Sequence, residues 1–351
     1  MTLHRGRLFV NTCLIILGLL FVITACGKKT GQKDFLTLTG LTMGTSYSVK
    51  IIYDDKPQEK AIRGDIDKIL ESINRSMSTY MDDSELSRIN QAAANTWIPV
   101  SNDLFSVLEA ARGIGRRSNG SFDVTVGPLV NLWGFGPTER PIKPPPASRI
   151  SKLLETTGFE RFALDKKTQA IKKSADSVYI DLSGIAKGYA VDRVSSLLLA
   201  KYQLADHLIE IGGEVKASGH NQAGNKWQIG VERPDYTKRT IHRIIGLEDL
   251  AMATSGNYRN YYDLEGKRYS HTIDPQTGYP VDHLLQSVSV LHESAMIADA
   301  WATALLVMGT EKAKLQAEEL TLPVLMVSKT MDGKHREIMN NHFKKHLVTT
   351  H

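Results

Sequence analysis

The sequence predicts an α+β fold built as one unit. Strand-like and helix-like segments are both plentiful but do not alternate regularly, which favours α+β over a doubly wound parallel sheet. The chain shows no internal repeat, no Gly-rich dinucleotide-binding motif and no Walker A loop. With 351 residues, it is long enough to bury a large core without cross-links.

The composition excludes several classes of protein. Hydrophobic residues make up 42% of the chain, charged residues 23% and aromatic residues 7%, which is unlike collagen, a disulfide-stapled miniprotein, a disordered tail or a polytopic membrane protein. The net charge of +5 comes from 43 Lys and Arg against 38 Asp and Glu, and the excess is spread along the chain. We therefore expect no nucleic-acid partner.

The first residues predict an export signal. Arg5 and Arg7 precede an apolar run from Leu8 to Ala25, which is followed by Cys26. The run ends in Ile-Thr-Ala-Cys, which resembles a bacterial lipobox, where a lipid is attached to the cysteine and the signal is cut before it. A plain transmembrane anchor is the alternative, although the run is at the short end of the ~17–25 residues that a spanning helix needs.

These observations divide the chain into three parts. We expect residues 1–25 to be a signal peptide, residues 26–36 to be a flexible tether lipidated at Cys26, and residues 37–348 to be the folded domain. Cys13 would leave with the signal, so no thiol would remain for a disulfide, a metal or a nucleophile. The protein would then sit on a membrane surface, facing the periplasm or the outside.

Periodicity and turn residues predict the elements in chain order. The first part of the domain gives a strand at Ser46–Ile51, an amphipathic helix at Pro57–Ser76, a helix capped by Asn102 or Asp103 that ends at Arg117, and a Pro-rich loop at Pro141–Pro146. The second part gives a strand at Ser177–Asp181, a helix from Ile185 to about Tyr202, strands at 209–211, 227–231, 241–245, 268–273 and 286–291, and an apolar helix at Ser294–Met308.

The segment from Asp181 to Gly188 suggests a site for an anion. A predicted strand ends in Asp181, and Ser183 and Gly184 follow before a helix begins. The start of a helix presents unpaired N–H groups that favour an anion, and Lys187 adds a cation. The segment therefore predicts a phosphate cradle, with an ordinary capped strand-to-helix turn as the alternative.

Asp299 and Thr303 suggest a site for a cation. Because they are four residues apart on a predicted helix, both oxygens face the same side. Their neighbours are nearly all apolar, and a buried carboxylate is costly unless it is paired or bound to metal. Carboxylate and hydroxyl oxygens suit Mg²⁺, with phosphate oxygens and waters completing its shell. The alternative is that backbone donors at the helix start satisfy Asp299.

Other residues are candidates for a ligand pocket. His271 stands before an Asp-Pro and Thr-Gly turn, where it would act as a general base if it faced a pocket and would otherwise be structural. Met43 and Tyr80 have side chains that can sandwich a planar ring, but each also suits core packing.

Together these segments resemble the FAD:protein FMN transferases, the ApbE-like family of bacterial flavin-transfer lipoproteins. The matching motifs, in the family's order, are Thr42–Thr45, Ser121–Asp123 with Gly127–Val130, Asp181–Gly188, Ala253–Gly256, His271–Pro275, and Ala298–Asp299 with Thr303. They span nearly the whole chain after the signal. The family is typically lipid-anchored on the periplasmic side, and we expect the anchor to lie in the inner rather than the outer membrane.

The resemblance implies a fold and a reaction. The fold would be a single tunnelling-fold-like unit with mixed or antiparallel sheets and flanking helices. The enzyme would take FMN from FAD, join it through a phosphoester bond to a Thr or Ser of an acceptor protein with the help of Mg²⁺, and release AMP. The acceptors would be subunits of sodium-pumping NADH:quinone reductase or of Rnf complexes, with a Ser/Thr-Gly-Ala-Thr-like motif.

The resemblance also implies the residues of the site. The FAD site would be lined by Met43, Tyr80, Ser121, Phe122, Asp123, Asp181, Lys187 and Ile273. The cation would be held by Asp299, Thr303 and the carbonyl of Gly184, and His271 would take the proton of the acceptor hydroxyl.

Two positions depart from some relatives, and two other functions stay open. Ala302 replaces an Asp that can supply an extra metal ligand, and Lys187 stands where some relatives have Glu. One alternative is an FAD pyrophosphatase that gives FMN and AMP. The other is a flavin-binding lipoprotein without catalysis.

Overall fold

A computed structural model describes residues 33–235 and 240–348. The predicted signal peptide, Cys26 and most of the predicted tether lie outside these residues. The helices are α1 (Glu59–Met77), α2 (Glu85–Gln91), α3 (Asn102–Arg117), α4 (Gly127–Leu132), α5 (Ala147–Leu154), α6 (Ala186–Tyr202), α7 (Ala295–Met308), α8 (Thr310–Glu319) and α9 (Asn341–Lys344), with a 3₁₀ turn at Val124–Val126.

The strands outnumber the helices. They are β1 (Asp34–Thr42), β2 (Thr45–Tyr53), β3 (Ile98–Pro99), β4 (Phe162–Asp165), β5 (Ala170–Lys173), β6 (His207–Ile211), β7 (Glu214–Ser218), β8 (Trp227–Glu232), β9 (Ile241–Leu247), β10 (Leu250–Gly256), β11 (Tyr261–Leu264), β12 (Lys267–Ser270), β13 (Leu285–His292), β14 (Val324–Lys329) and β15 (His335–Met339). β1 begins at Asp34, so the last residues assigned to the tether belong to a strand.

The main sheet is antiparallel throughout. In the described part of the chain it has eight strands in the order β1-β2-β6-β7-β10-β13-β14-β15, and every neighbouring pair runs antiparallel. Smaller sheets pair β3-β5-β4, β8-β9 and β11-β12. The predicted α+β class is confirmed, with antiparallel sheets.

Helices cover one face of the main sheet. α6 packs against α1 and α7, and α7 lies on β10 and β13. Ile62, Ile66 and Ile73 of α1 are buried there, as their spacing predicts. The β8–β9 hairpin and Phe343 of α9 cover the opposite face with a second apolar cluster. The core therefore lies on both faces of the sheet.

Two local predictions are wrong. The cap of α3 is Ser101, whose side chain accepts a hydrogen bond from the Leu104 amide at 3.3 Å, and not Asn102 or Asp103. The segment Ser177–Asp181 forms no strand, because the Ile180 backbone pairs with the side chain of Asn90 instead of with a neighbouring strand. In both places a polar side chain replaces a backbone partner.

A close contact fixes α6 against α7. A Cβ atom at Gly188 would lie 2.3 Å from the carbonyl oxygen of Ala295, so only glycine fits there. Asp192 of α6 accepts hydrogen bonds from the amides of Ala295 and Met296 at the start of α7, each at 3.0 Å. The first turns of these two helices are thus held side by side.

Among residues 33–235 and 240–348, none of the helices combines the length and the hydrophobicity that crossing a bilayer requires.

Candidate functional site

A cavity of about 810 Å³ opens where α6 begins. Its wall includes the β6–β7 turn, part of β10, the loops after α3 and β12, and side chains of α7. The predicted site residues that line it are Ser121, Phe122, Asp123, Asp181, Gly184, Lys187, His271, Ile273, Asp299 and Thr303. Residues from distant parts of the sequence therefore meet in one cavity.

Two of the residues predicted to line the FAD site are not among the residues that line this cavity. Met43 occupies the turn between β1 and β2, where its backbone φ is 49°, and its side chain packs against the main core. Tyr80 follows the end of α1 and is 69% exposed. Partial burial raises the pKa of the Tyr80 hydroxyl, and the negative charge of Asp181 raises this pKa further. Tyr80 thus stays near the site without lining the cavity.

A lysine and two carboxylates form the charged centre of the cavity. The Nζ atom of Lys187 lies 2.8 Å from Oε1 of Glu214 and 3.9 Å from Oδ2 of Asp299. The amide of Gly188 donates to the same Asp299 oxygen at 3.1 Å. Asp299 is therefore satisfied partly by a backbone donor, as in the alternative considered above, but the donor belongs to a different helix.

Burial shapes the charges of this centre. Burial raises the pKa of Glu214 to about 7, and the nearby charge of Asp299 adds to the rise. Burial also raises the pKa of Asp299. For Lys187, burial alone lowers the pKa, but Asp299 and Glu214 together outweigh it and raise the pKa. The Oε2 atom of Glu214 is buried and has no hydrogen-bond partner, so the centre suits one more positive charge.

Oxygen atoms that can hold a divalent cation adjoin this centre. The hydroxyls of Thr303 and Ser255 share a hydrogen bond of 3.0 Å. The backbone of Gly184 passes close by, because a Cβ atom there would lie 3.4 Å from Oγ1 of Thr303. Within the described ranges, no three His, Cys, Asp or Glu side chains converge as a metal site. A cation here would therefore also need the hydroxyl and carbonyl oxygens that the sequence predicts, and hard oxygen donors of this kind fit Mg²⁺.

The two other aspartates of the cavity wall shape its loops. Oδ1 of Asp123 accepts hydrogen bonds from the amide and the hydroxyl of Thr125, at 2.8 and 2.7 Å, and burial raises the Asp123 pKa. Oδ1 of Asp181 accepts from the Ser183 amide at 2.8 Å. These bonds hold in place the loop that carries Phe122 and the loop that leads into α6.

His271 is oriented by a backbone carbonyl. Its Nδ1 atom lies 3.1 Å from the carbonyl oxygen of Asn260. Because a carbonyl only accepts, Nδ1 carries the hydrogen and the lone pair of the neutral ring is on Nε2. Burial lowers the His271 pKa, and the charge of Lys187 lowers it slightly further. The imidazole is thus neutral at pH 7, as a general base must be.

The start of α6, where the sequence predicts a phosphate cradle, is only partly open to a ligand. α6 has no side-chain cap at Ile185, which fits a helix start open to a ligand. One of its first-turn amides, that of Gly188, already donates to Asp299. Lys187 pairs with Glu214, a contact that the sequence does not reveal because only the fold brings β7 to this lysine.

Comparison with protein families gives a match over most of the chain. Residues 43–326 match the model of the ApbE family. A protein of Vibrio cholerae named FAD:protein FMN transferase is 41% identical over 335 residues, which cover 95% of this chain and 98% of that protein. A protein of the same name from Haemophilus influenzae is 41% identical over 326 residues, covering 91% and 93% of the two chains.

Solved structures match as well. The flavin transferase ApbE from Vibrio cholerae superimposes with a TM-score of 0.83 at 40% identity, covering 90% of this chain and all of that one. The apo form of the Pseudomonas stutzeri flavinyl transferase ApbE gives a TM-score of 0.81 at 33% identity, covering 92% of this chain and 99% of that one.

Proposed function

This chain belongs to the ApbE family and is an FAD:protein FMN transferase, and we propose that it uses Mg²⁺ to move FMN from FAD onto a Thr or Ser of its acceptor. The observation that carries the proposal is the meeting of Asp299, Thr303 and Gly184 in the cavity beside a buried carboxylate oxygen without a partner. FAD is the donor of the transferred group, and its pyrophosphate would lie at the start of α6.

The reaction exchanges one P–O bond for another. The acceptor hydroxyl oxygen attacks the phosphorus on the FMN side of the pyrophosphate, and the bond from this phosphorus to the bridging oxygen of AMP breaks. AMP leaves with the electron pair, and FMN remains on the acceptor as a phosphoester. When bound, Mg²⁺ would draw charge from the pyrophosphate and from the leaving AMP.

The side chains of the cavity would bind the cation, orient the flavin and accept the proton of the acceptor hydroxyl. Asp299 and Thr303 would hold the cation together with the carbonyl of Gly184. His271 Nε2 would take the proton of the attacking hydroxyl, because the Asn260 carbonyl fixes the tautomer that leaves this nitrogen basic. Phe122 and Ile273 give the cavity apolar wall on which a flavin ring can pack.

The acceptor and the location are part of the proposal. The resemblance in the sequence supports an acceptor with a Ser/Thr-Gly-Ala-Thr-like motif, in subunits of sodium-pumping NADH:quinone reductase or Rnf complexes. Lipidation at Cys26 would hold the enzyme on the periplasmic side of the inner membrane. Because both proteins would then share one surface, their effective concentration would rise.

Mass spectrometry of a co-produced acceptor domain tests the function. We expect an FMN adduct on Thr with the wild-type enzyme and about 10²–10³-fold slower formation of this adduct with Asp299→Asn. Rapid release of AMP from FAD without an adduct would instead show a pyrophosphatase. Tight flavin binding with neither AMP nor adduct would show a carrier.

A further inference from the structure

A carboxylate that the sequence analysis does not single out faces the proposed cation site. Glu214 follows the Gly212–Gly213 turn at the start of β7, and its side chain is 4% exposed. Oε1 accepts from Lys187 at 2.8 Å, whereas Oε2 has no hydrogen-bond partner although it lies in the cavity wall. A buried carboxylate oxygen without a partner is costly, so its presence indicates a ligand with positive charge.

The fold places the Lys187 ammonium between two carboxylates. Its stem runs past Gly212, where a Cβ atom would lie 3.2 Å from Cδ of Lys187 and where the backbone φ is +60°. The ammonium then reaches Glu214 and stays 3.9 Å from Asp299. When both carboxylates are ionised, one ammonium between them leaves the centre with a negative charge that a divalent cation can balance.

We propose that Glu214 is a further side-chain ligand of the divalent cation held by Asp299 and Thr303, and that this cation displaces Lys187 from between the two carboxylates. The inference rests on the proposed function, since it assumes a cation at Asp299. The displaced ammonium stays in the cavity, where it faces the phosphates of the bound dinucleotide.

Calorimetric titration of the full chain with Mg²⁺ in the absence of FAD tests this role. Glu214→Gln would weaken binding at least about tenfold, since even outer-shell groups change metal affinity by ~10–100-fold. This variant alone is ambiguous, because it also frees Lys187 to pair with Asp299. The decisive comparison is therefore Lys187→Met against Lys187→Met with Glu214→Gln, where the competing ammonium is absent.

A cation ligand and a mere partner of Lys187 give different results in this comparison. If Glu214 binds the cation, Lys187→Met alone tightens Mg²⁺ binding severalfold, and adding Glu214→Gln weakens it again at least about tenfold. If the added substitution changes the Kd less than about twofold, Glu214 acts only through Lys187 and the proposal is overturned. Should the Gln variant fail to fold, Glu214→Asp in the same background gives the same comparison, because the shorter carboxylate withdraws from the cation.

Glu210 provides a matched control. It lines the same cavity, and its Oε1 accepts from the Gly213 amide at 2.6 Å, a bond that a Gln can also accept. Glu210→Gln should leave the Kd for Mg²⁺ unchanged within about twofold. If Glu210→Gln weakens Mg²⁺ binding as much as Glu214→Gln does, the effect comes from the total charge of the cavity and the proposal is overturned. Wild-type protein that binds no divalent cation, with or without FAD, would contradict the proposed function itself.

Discussion

At the scale of the residue, His271 combines three properties of a general base. It lines the cavity, its Nδ1 atom is occupied by the Asn260 carbonyl, and burial lowers its pKa below the ordinary value of 6.5. A lowered pKa means that the ring loses its proton at a lower pH. The basic form is therefore complete at neutral pH.

Replacing His271 should slow transfer without abolishing FAD binding. We expect His271→Ala to lose about 10²–10⁴-fold in kcat, the usual contribution of a positioned base. In the wild type, the rate should rise with pH through a midpoint below 6.5 and then level off. The rate of the variant should not show this rise. Stopped-flow measurement of AMP release from pH 5 to 8 checks both. His220→Ala, a surface position paired with Glu248, should behave as wild type.

Asp299 is the residue on which the proposed cation would depend most. Asp299→Asn removes the charge but keeps an oxygen that can accept from the Gly188 amide, so the fold should persist. We expect loss of Mg²⁺ binding and about 10²–10³-fold lower transfer, the scale seen when a preorganised electrostatic group is removed. Calorimetry with Mg²⁺ and the transfer rate measure the two effects. Transfer at the wild-type rate by the folded variant would refute the role.

Local spacing predicts some of these residues and misses others. Asp299 and Thr303 stand four apart on one helix, so sequence alone puts them on one side. No local pattern assigns Glu214 to the site, because the fold alone brings β7 beside α6 and so places this carboxylate next to Lys187. Its one local signal is the Gly-Gly turn immediately before it, which marks a close approach of backbone and side chain.

At the scale of the element, the junction of α6 and α7 carries the site. Lys187 lies in the first turn of α6 and Asp299 near the start of α7, so their separation depends on how closely the helices approach. Gly188 sets that approach through its contact with Ala295.

Gly188→Ala should therefore destabilise the protein although it adds only a methyl group. A Cβ atom there would meet the Ala295 carbonyl at 2.3 Å, which forces a helix to shift, and overpacking of this kind costs about 1–3 kcal/mol. Gly64→Ala in α1 is the matched control. Nothing lies within 4 Å of its added Cβ, so we expect a gain of about 0.5–1 kcal/mol from helix propensity. Urea denaturation measures the free energy of unfolding of both variants. An equal change in this free energy in the two variants would contradict the predicted clash at Gly188.

The helices were predicted better than the strands. α1 and α7 show strong apolar patterns, and their observed bounds differ from the predicted ones by only a few residues. Ser177–Asp181 has the β-branched composition of a strand, but its backbone partners are the Asn90 side chain and the Val124 carbonyl. β-branched residues favour buried positions, and both a strand and a buried loop offer such positions, so the composition alone cannot distinguish the two.

At the scale of the whole molecule, the charged centre links stability to pH and would link it to a bound cation. Burial raises the pKa of Glu214 from its ordinary 4.5 to about 7, so the folded chain holds a proton that the unfolded chain releases. This contribution to stability is complete below pH 4.5 and is lost as pH rises through about 7. A bound cation would reverse the effect, because it favours the ionised carboxylate.

The difference in thermal stability between wild type and Glu214→Gln isolates this contribution. In EDTA, the wild-type Tm should fall relative to that of the variant as pH rises from 5 to 8. Mg²⁺ should restore the wild-type Tm at pH 8 and have less effect on the variant, since a ligand that binds the folded state stabilises it. Differential scanning calorimetry measures this. A Tm difference that does not depend on pH would show that the Glu214 proton is not involved.

The proposed anchor leads to a prediction about the acceptor. Cys26→Ala should leave transfer to a soluble acceptor peptide unchanged and reduce transfer to the membrane-embedded target, because only the latter gains from confinement to one surface. In-gel flavin fluorescence of the two acceptors compares the rates. Equal loss on both would argue against the anchor.

The glycine between α6 and α7 also affects how the ligand binds. Because α6 and α7 meet backbone to backbone at Gly188, the groups that would receive the proposed cation and the pyrophosphate are arranged before either arrives. The entropy of ordering Asp299 and the backbone that carries Lys187 is lost once, when the chain folds, and not again at each encounter with FAD. FAD should therefore bind with little movement of α6 and α7.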